Sequence, residues 1–208
     1  MNVVQPIRDR AVIERCYDIA RAHDRRGGGV SWELILLVGF NTSLRVSDFT
    51  RFRVGDLRGA EHAQIRARKT GKMARVLINP PARRELNRLL AGRKADEYAL
   101  QSRQKDPVTH RPRPVTRQRV YQIMNQIARS AGIADPIGCH TLRKTFGYHY
   151  YQQTHDVVKL QRILCHASRR ETLVYIGIAQ EEQDESLRNF SIVGRRKQYE
   201  RFIEQQPD

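Results

Sequence analysis

From Ser31 to Phe40 the chain reads Ser-Trp-Glu-Leu-Ile-Leu-Leu-Val-Gly-Phe, with one charge among ten residues. A helix that is apolar on every side has to be covered on every side. The run is far shorter than the ~18–20 residues that cross a bilayer, so its cover must come from the rest of the protein. Ser31 supplies a hydroxyl suited to capping such a helix. Whatever this chain folds into, its other elements must pack around this segment.

Those other elements can be read from spacing. Apolar positions over 7–24 suit an amphipathic helix that Gly27-Gly28-Gly29 ends. A short helix is expected over 47–53. Residues 62–69 and 73–78 alternate apolar and polar, with Thr70-Gly71 between them, and predict a β-hairpin. Pro80-Pro81 stops the second strand, and Pro81 can open a helix to about Leu90. Residues 92–115, with Pro107, Pro112 and Pro114, read as a surface loop. Thr116 opens a helix whose buried face is Val120, Ile123, Met124 and Ile127, ending near Gly132. Further helices are expected at about 141–153, 156–165 and 170–177, with another in the tail. The fold class is therefore α+β, mainly helical with a small antiparallel sheet.

Charge narrows the partner. The chain has 208 residues, with 38 Lys+Arg against 22 Asp+Glu, a net +16. Residues 31–175 hold 27 basic and 11 acidic residues, whereas 176–208 hold five basic and seven acidic ones. The excess thus belongs to the middle of the chain. It is carried by 31 arginines and only 7 lysines, and guanidinium groups grip phosphate oxygens bidentately. Nucleic acid is the expected partner. A membrane surface is not, because the charges are not gathered on one amphipathic helix. The opening residues MNVVQPIRDR do not read as a signal peptide. Three scattered cysteines suit a reducing compartment, so a cytoplasmic location is expected.

No Gly-rich phosphate loop with a following Lys-Ser/Thr is present, nor closely spaced carboxylates, nor a CxxC pair. Cys139-His140 and Cys165-His166 are adjacent pairs, a spacing poorly suited to one zinc ion. Neither a metal nor a cofactor is expected. What remains is Gly138-Cys-His-Thr-Leu-Arg-Lys-Thr-Phe-Gly-Tyr-His-Tyr-Tyr151, where His140 and Arg143 fall three apart and share a helix side. Downstream come Leu160-Gln-Arg-Ile-Leu-Cys-His166 and Glu171-Thr-Leu-Val-Tyr175, with His166 and Tyr175 nine positions apart.

These segments resemble the tyrosine recombinase (phage integrase) family, whose signature reads His-x-Leu-Arg, then Leu-Gly-His, then a tyrosine nine residues on. Asn41-Thr-Ser-Leu-Arg45-Val-Ser-Asp48 is similar to the family's Thr-Gly-Leu-Arg-x-Ser-Glu box. The hairpin with Lys69-Thr70-Gly71 resembles the β-turn that carries its catalytic lysine. The match runs from about residue 5 to 180, with five boxes in order. The resemblance implies a site-specific recombinase that cleaves and rejoins DNA through a 3′-phosphotyrosyl intermediate, giving integration, excision or inversion. It implies that Tyr175 is the nucleophile, that Arg45, Arg143 and His166 stabilise phosphoryl charge, that Lys69 protonates the departing 5′-oxygen, and that His140 assists proton transfer. The chemistry is consistent with this. A phenol with an unperturbed pKa of about 10 needs a base or cationic surroundings to attack at neutral pH, and a covalent intermediate makes ATP unnecessary for rejoining.

Plainer roles stand beside these. Arg45 suits either a phosphate contact or a structural ion pair with Asp48; catalysis is preferred, with Asp48 in support. Lys69 has Arg66, Arg68 and Lys72 as neighbours, and Tyr148, Tyr150 and Tyr151 cluster near the site of Tyr175. His62, His110, His149 and His155 are expected to be surface or packing residues. Ser43 and Cys165 stand where the family usually has glycine.

The chain reads as residues 1–180, a catalytic domain in minimal form without the family's N-terminal core-binding domain, followed by a helical tail over 181–208. Half a DNA clamp should depend on neighbouring protomers in a synaptic tetramer or on an accessory DNA-binding protein. The tail carries Leu187, Phe190, Ile192, Val193, Tyr199, Phe202 and Ile203, which suits docking in trans on another protomer or packing on its own core. Two alternatives are type IB topoisomerase-like DNA relaxation and a non-catalytic DNA-binding regulator, with helices at about 118–131 and 141–152 as a helix-turn-helix pair.

Overall fold

The computed structural model describes residues 4–27, 29–188 and 190. The apolar segment forms α2 (Trp32–Asn41), with Ser31 Oγ accepting from the Leu34 N–H. Asp24 adds a second cap from the preceding helix, accepting from the Trp32 and Glu33 N–H groups and from Ser31 Oγ. Trp32 through Gly39 are all buried. Around α2 pack α1 (Arg10–Arg25), α3 (Val46–Phe49), α5 (Pro80–Leu89) and α7 (Cys139–Thr154). Glu33 is buried and accepts from Arg21 of α1 at 3.0 Å and Arg88 of α5 at 2.8 Å. A carboxylate withdrawn from water is tolerable only with such partners, and this one staples three helices together.

The hairpin pairs β1 (His62–Arg66) with β2 (Met73–Leu77), antiparallel, with His62 opposite Leu77 and Arg66 opposite Met73. Asn79 caps α5, whose first two residues are Pro80 and Pro81. Helix α6 (Arg117–Ala131) is capped by Thr116 and ends at Gly132 in the left-handed region, and it buries Val120, Ile123, Met124 and Ile127 as its spacing requires. Helices α8 (Val157–Leu164), α9 (Arg169–Ile176) and α10 (Ile178–Arg188) follow α7. Leu160, Leu164, Ile176 and Ile178 make a satellite core beside the main one. Among the described residues no helix is long and apolar enough to cross a membrane.

Two differences from the sequence reading have physical causes. The 47–53 helix is shorter (Val46–Phe49), and a separate turn, α4 (Val54–Leu57), follows it, closed where Asp56 accepts from the Arg53 N–H at 2.7 Å. Four residues are too few to show a period. The 92–115 segment is not wholly a surface loop, because Ala99, Leu100 and Val115 are buried. Bridges from Arg53 to Tyr98 and from Gln101 to Pro114 tie it down. In the tail, α10 runs on from Ile178 through residue 180, and Leu187 and Phe190 are exposed. Ile192, Val193, Tyr199, Phe202 and Ile203 lie outside the described residues.

Two glycines let α7 sit where it does. A Cβ on Gly39 would stand 2.8 Å from Leu142 Cδ1, and one on Gly147 would stand 2.7 Å from Ile176 Cγ2. The first sets α2 against α7, and the second sets α9 against α7. Gly147→Ala should overpack the α7–α9 contact and cost about 1–3 kcal/mol. Urea unfolding of the purified variant reads this directly, and an unchanged midpoint would show that the contact yields freely.

Candidate active site

Five of the six expected site residues converge. His140 and Arg143 project from the first two turns of α7, Tyr175 stands near the end of α9, His166 follows α8, and Arg45 immediately precedes α3. Tyr175 Oη lies 3.5 Å from His140 Nδ1. The His166 imidazole meets the Tyr175 ring edge-on, with centroids 4.8 Å apart and planes at 76°. Lys144 Nζ lies 5.2 Å from the centre of the same ring, so two groups hold the phenol in place.

Arg143 is 6% exposed. Its guanidinium donates to Ser43 O and, at 2.6 Å, to Leu164 O, bridging the turn after α2 to the end of α8. No carboxylate pairs with Arg143 or Arg45 among the described residues. Burial pushes the Arg143 pKa down; Tyr175 and Cys165 oppose that shift, while Arg45 adds to it. The positive charges here are therefore incompletely neutralised by the protein.

Titration follows from these surroundings. The Tyr175 pKa is raised, chiefly by burial, against the lowering effect of Arg143 and Arg45. Both histidines are pushed down. For His140 the causes are desolvation first, then the charges of Arg117, Arg143, Arg45 and Lys144. For His166 burial lowers the pKa, with Arg143 and Arg45, while Glu171 opposes. A protonated phenol thus faces an imidazole kept neutral, the pairing that permits proton transfer. Thr172 is buried; its hydroxyl donates to Ser168 O at 3.1 Å and lies 3.2 Å from His166 Nδ1, which sets the ring plane.

Lys69 is the one expected residue the fold does not bring into this cluster. It is exposed on the turn between β1 and β2. The turn is nevertheless tethered beside Arg45. Asp48 is 2% exposed, and its Oδ1 accepts from the Arg68 N–H at 2.8 Å. Arg51 Nη2 meets the same oxygen at 3.4 Å and donates to Arg66 O. The alternative pairing of Asp48 with Arg45 is therefore not seen. The carboxylate turns to the hairpin, where it satisfies a backbone donor, and leaves the Arg45 guanidinium to the cleft.

Sequence reasoning passed over Arg117, which lines the cleft with Arg45, His140 and Arg143; as the opening residue of an amphipathic helix it looked like any solvated charge. It also passed over Lys144 as a neighbour of the Tyr175 ring. His149 is a packing residue, as expected, donating from Nε2 to Ile7 O at 3.0 Å. Ile7 N–H in turn donates to Thr145 Oγ1 at 2.9 Å, so residues before α1 strap across α7. Among the described residues, no group of three or more His, Cys, Asp and Glu is placed to hold a metal ion.

Ser43 and Cys165 both have positive φ, 55° and 51°. Glycine takes this conformation without penalty, whereas a side chain costs about 1–2 kcal/mol. Both lie at the ends of the Arg143 bridge. Cys165→Gly should therefore raise stability by about 1 kcal/mol, read as a higher urea midpoint, and an unchanged or lower midpoint would mean the thiol makes compensating contacts.

Known proteins supply the context. A family model described as "Phage integrase family" matches residues 6–182. A probable integrase/recombinase, YoeC of Bacillus subtilis, is 34% identical over 178 residues, covering 86% of this chain and 92% of that protein. Tyrosine recombinase XerD of Bifidobacterium longum is 32% identical over 149 residues, covering 68% of this chain but 48% of its own length. The chain thus spans nearly all of the first relative and about half of the Xer recombinase. The crystal structure of XerA recombinase shares the fold, with a TM-score of 0.63 at 20% identity, over 90% of this chain and 67% of that one. The catalytic domain of bacteriophage HP1 integrase does so at 0.57 and 17%, over 91% and 96%.

Proposed function

Since this chain belongs to the phage integrase family, we propose that it is a site-specific DNA recombinase that cuts and rejoins double-stranded DNA through Tyr175. The observation that carries the reading is the Tyr175 hydroxyl beside a neutral His140, facing two arginines that have no carboxylate partner among the described residues.

In the cleaving step Tyr175 Oη attacks a backbone phosphorus while its proton passes toward His140 Nδ1. The phosphorus–O5′ bond breaks, and the departing 5′-oxygen takes a proton from Lys69. The products are a 3′-phosphotyrosyl link and a free 5′-hydroxyl, so the ester bond is conserved and rejoining needs no nucleotide. Arg45, Arg143 and His166 surround the phosphoryl oxygens and stabilise the charge that builds there. For Lys69 to act, the hairpin turn that Asp48 anchors must fold over the DNA.

A catalytic domain of this kind covers residues 1–180 and grips DNA from one side. Recombination then depends on other protomers in a synaptic tetramer, with the tail over 181–208 docking in trans; the exposed Leu187 and Phe190 suit a protein surface. An accessory DNA-binding protein adds a second hold on the DNA. The place of work is the cytoplasm, on the nucleoid.

The test is a nicked suicide duplex carrying the inverted repeats beside the coding region, incubated in EDTA without nucleotide. A covalent protein–DNA adduct is expected, and Tyr175→Phe should abolish it while retaining DNA binding. Sequence-specific binding without any adduct would refute the enzymatic reading.

A further inference from the structure

Arg117 is the first residue of α6 and lies where two cavities meet. One is the catalytic cleft of about 50 Å³, walled by Arg45, His140 and Arg143 as well as by Arg117. The other is a hollow of about 510 Å³ beyond it, lined by Thr116, Arg117, Gln118, Tyr121 and Cys139. Among the described residues, Arg117 is the sole cation lining the hollow and the sole charged residue common to both. Its side chain makes no salt bridge with a carboxylate among the described residues.

We infer that Arg117 binds a second backbone phosphate, the one adjoining the cleaved phosphate on the same strand, and so fixes where the strand leaves the catalytic cleft. This rests on the recombinase reading of the cleft itself. The cleft is small and already supplied with Arg45, Arg143 and a histidine, so it accommodates little beyond one phosphoryl group. The wider hollow has room for the adjoining nucleotide, and Arg117 gives it its charge. A guanidinium left unpaired beside two others and an imidazole is held against mutual repulsion. An anion between them relieves that repulsion, and the planar fork of arginine suits a phosphate. The charge of Arg117 also bears on His140 more than those of Arg143, Arg45 or Lys144 do, second only to desolvation. Arg117 therefore stands close to the chemistry without touching Tyr175.

Two measurements test this. The first is DNA binding by wild type, Arg117→Ala and Arg117→Lys as a function of salt, with a short duplex of arbitrary sequence. Arg117→Ala should make the log K against log salt slope shallower by about 1, whereas Arg117→Lys should keep the slope. The second is adduct formation on suicide duplexes, each with one phosphate replaced by a neutral methylphosphonate. On unmodified DNA Arg117→Ala should lower the rate at least tenfold, about 1.4 kcal/mol in transition-state binding. Neutralising the adjoining phosphate should bring wild type down to the variant's level and cost the variant nothing more. The inference is overturned if the variant matches wild type on unmodified DNA. It is also overturned if the variant's defect persists with that phosphate neutral, or disappears only when the cleaved phosphate itself is neutral. Wild type that binds but forms no adduct refutes the recombinase reading instead, and the salt slope then still decides whether Arg117 contacts a phosphate. Arg117 is exposed, so loss of fold is not expected, and an unchanged melting temperature confirms it.

Discussion

The Arg143 guanidinium is buried with no carboxylate beside it among the described residues, and the rest of the site is arranged around that fact. Taking such a charge out of water is expensive, and carbonyl oxygens offset only part of the cost. The two it bonds come from the turn after α2 and from the end of α8, so the residue also joins the main core to the α7–α9 subcore. What it lacks is an anion. In the proposed reaction a phosphodiester supplies one, together with the oxygens assigned there to Arg45 and His166. The protein bears in advance an electrostatic cost that its substrate relieves, which is how preorganised sites accelerate reactions.

The same burial governs Tyr175, the proposed nucleophile. Without DNA, desolvation holds the Tyr175 phenol protonated, against the pull of Arg143 and Arg45. Burial first, and then the neighbouring cations, push the His140 pKa down, toward its neutral form. Donor and acceptor are thus both in the protonation state the first step needs, 3.5 Å apart. The hairpin turn with Lys69 stands apart from the cluster, tethered through Asp48 and Arg51. In the proposed reaction, attack and leaving-group protonation therefore depend on different elements, which DNA would have to bring together.

Much of this was legible in the chain. Helix α2 had to be central because none of its faces is polar, and Ser31 and Thr116 marked helix starts that their hydroxyls do cap. The order of boxes located His140, Arg143, His166 and Tyr175 on elements that meet. Other features depend on contacts that no local pattern encodes. The turn α4 is too short for a period, and Ala99, Leu100 and Val115 are buried by bridges to distant residues. Asp48 is three residues from Arg45 and suited to pairing with it, yet a backbone N–H from the hairpin claims it. Arg117 is a helix-surface arginine until α7 is laid beside it. Ser43 and Cys165 read as departures from glycine, and only their positive φ shows why glycine is the family's usual choice there.

Which atom becomes joined to DNA decides the mechanism. Digesting the covalent complex and sequencing the DNA-bearing peptide by mass spectrometry identifies both the residue and the polarity of the link. The expected product is the peptide containing Tyr175 with a phosphodiester to a 3′ end and a free 5′-hydroxyl on the released strand. Attachment at Tyr148, Tyr150 or Tyr151, or a link to a 5′ end, would contradict it.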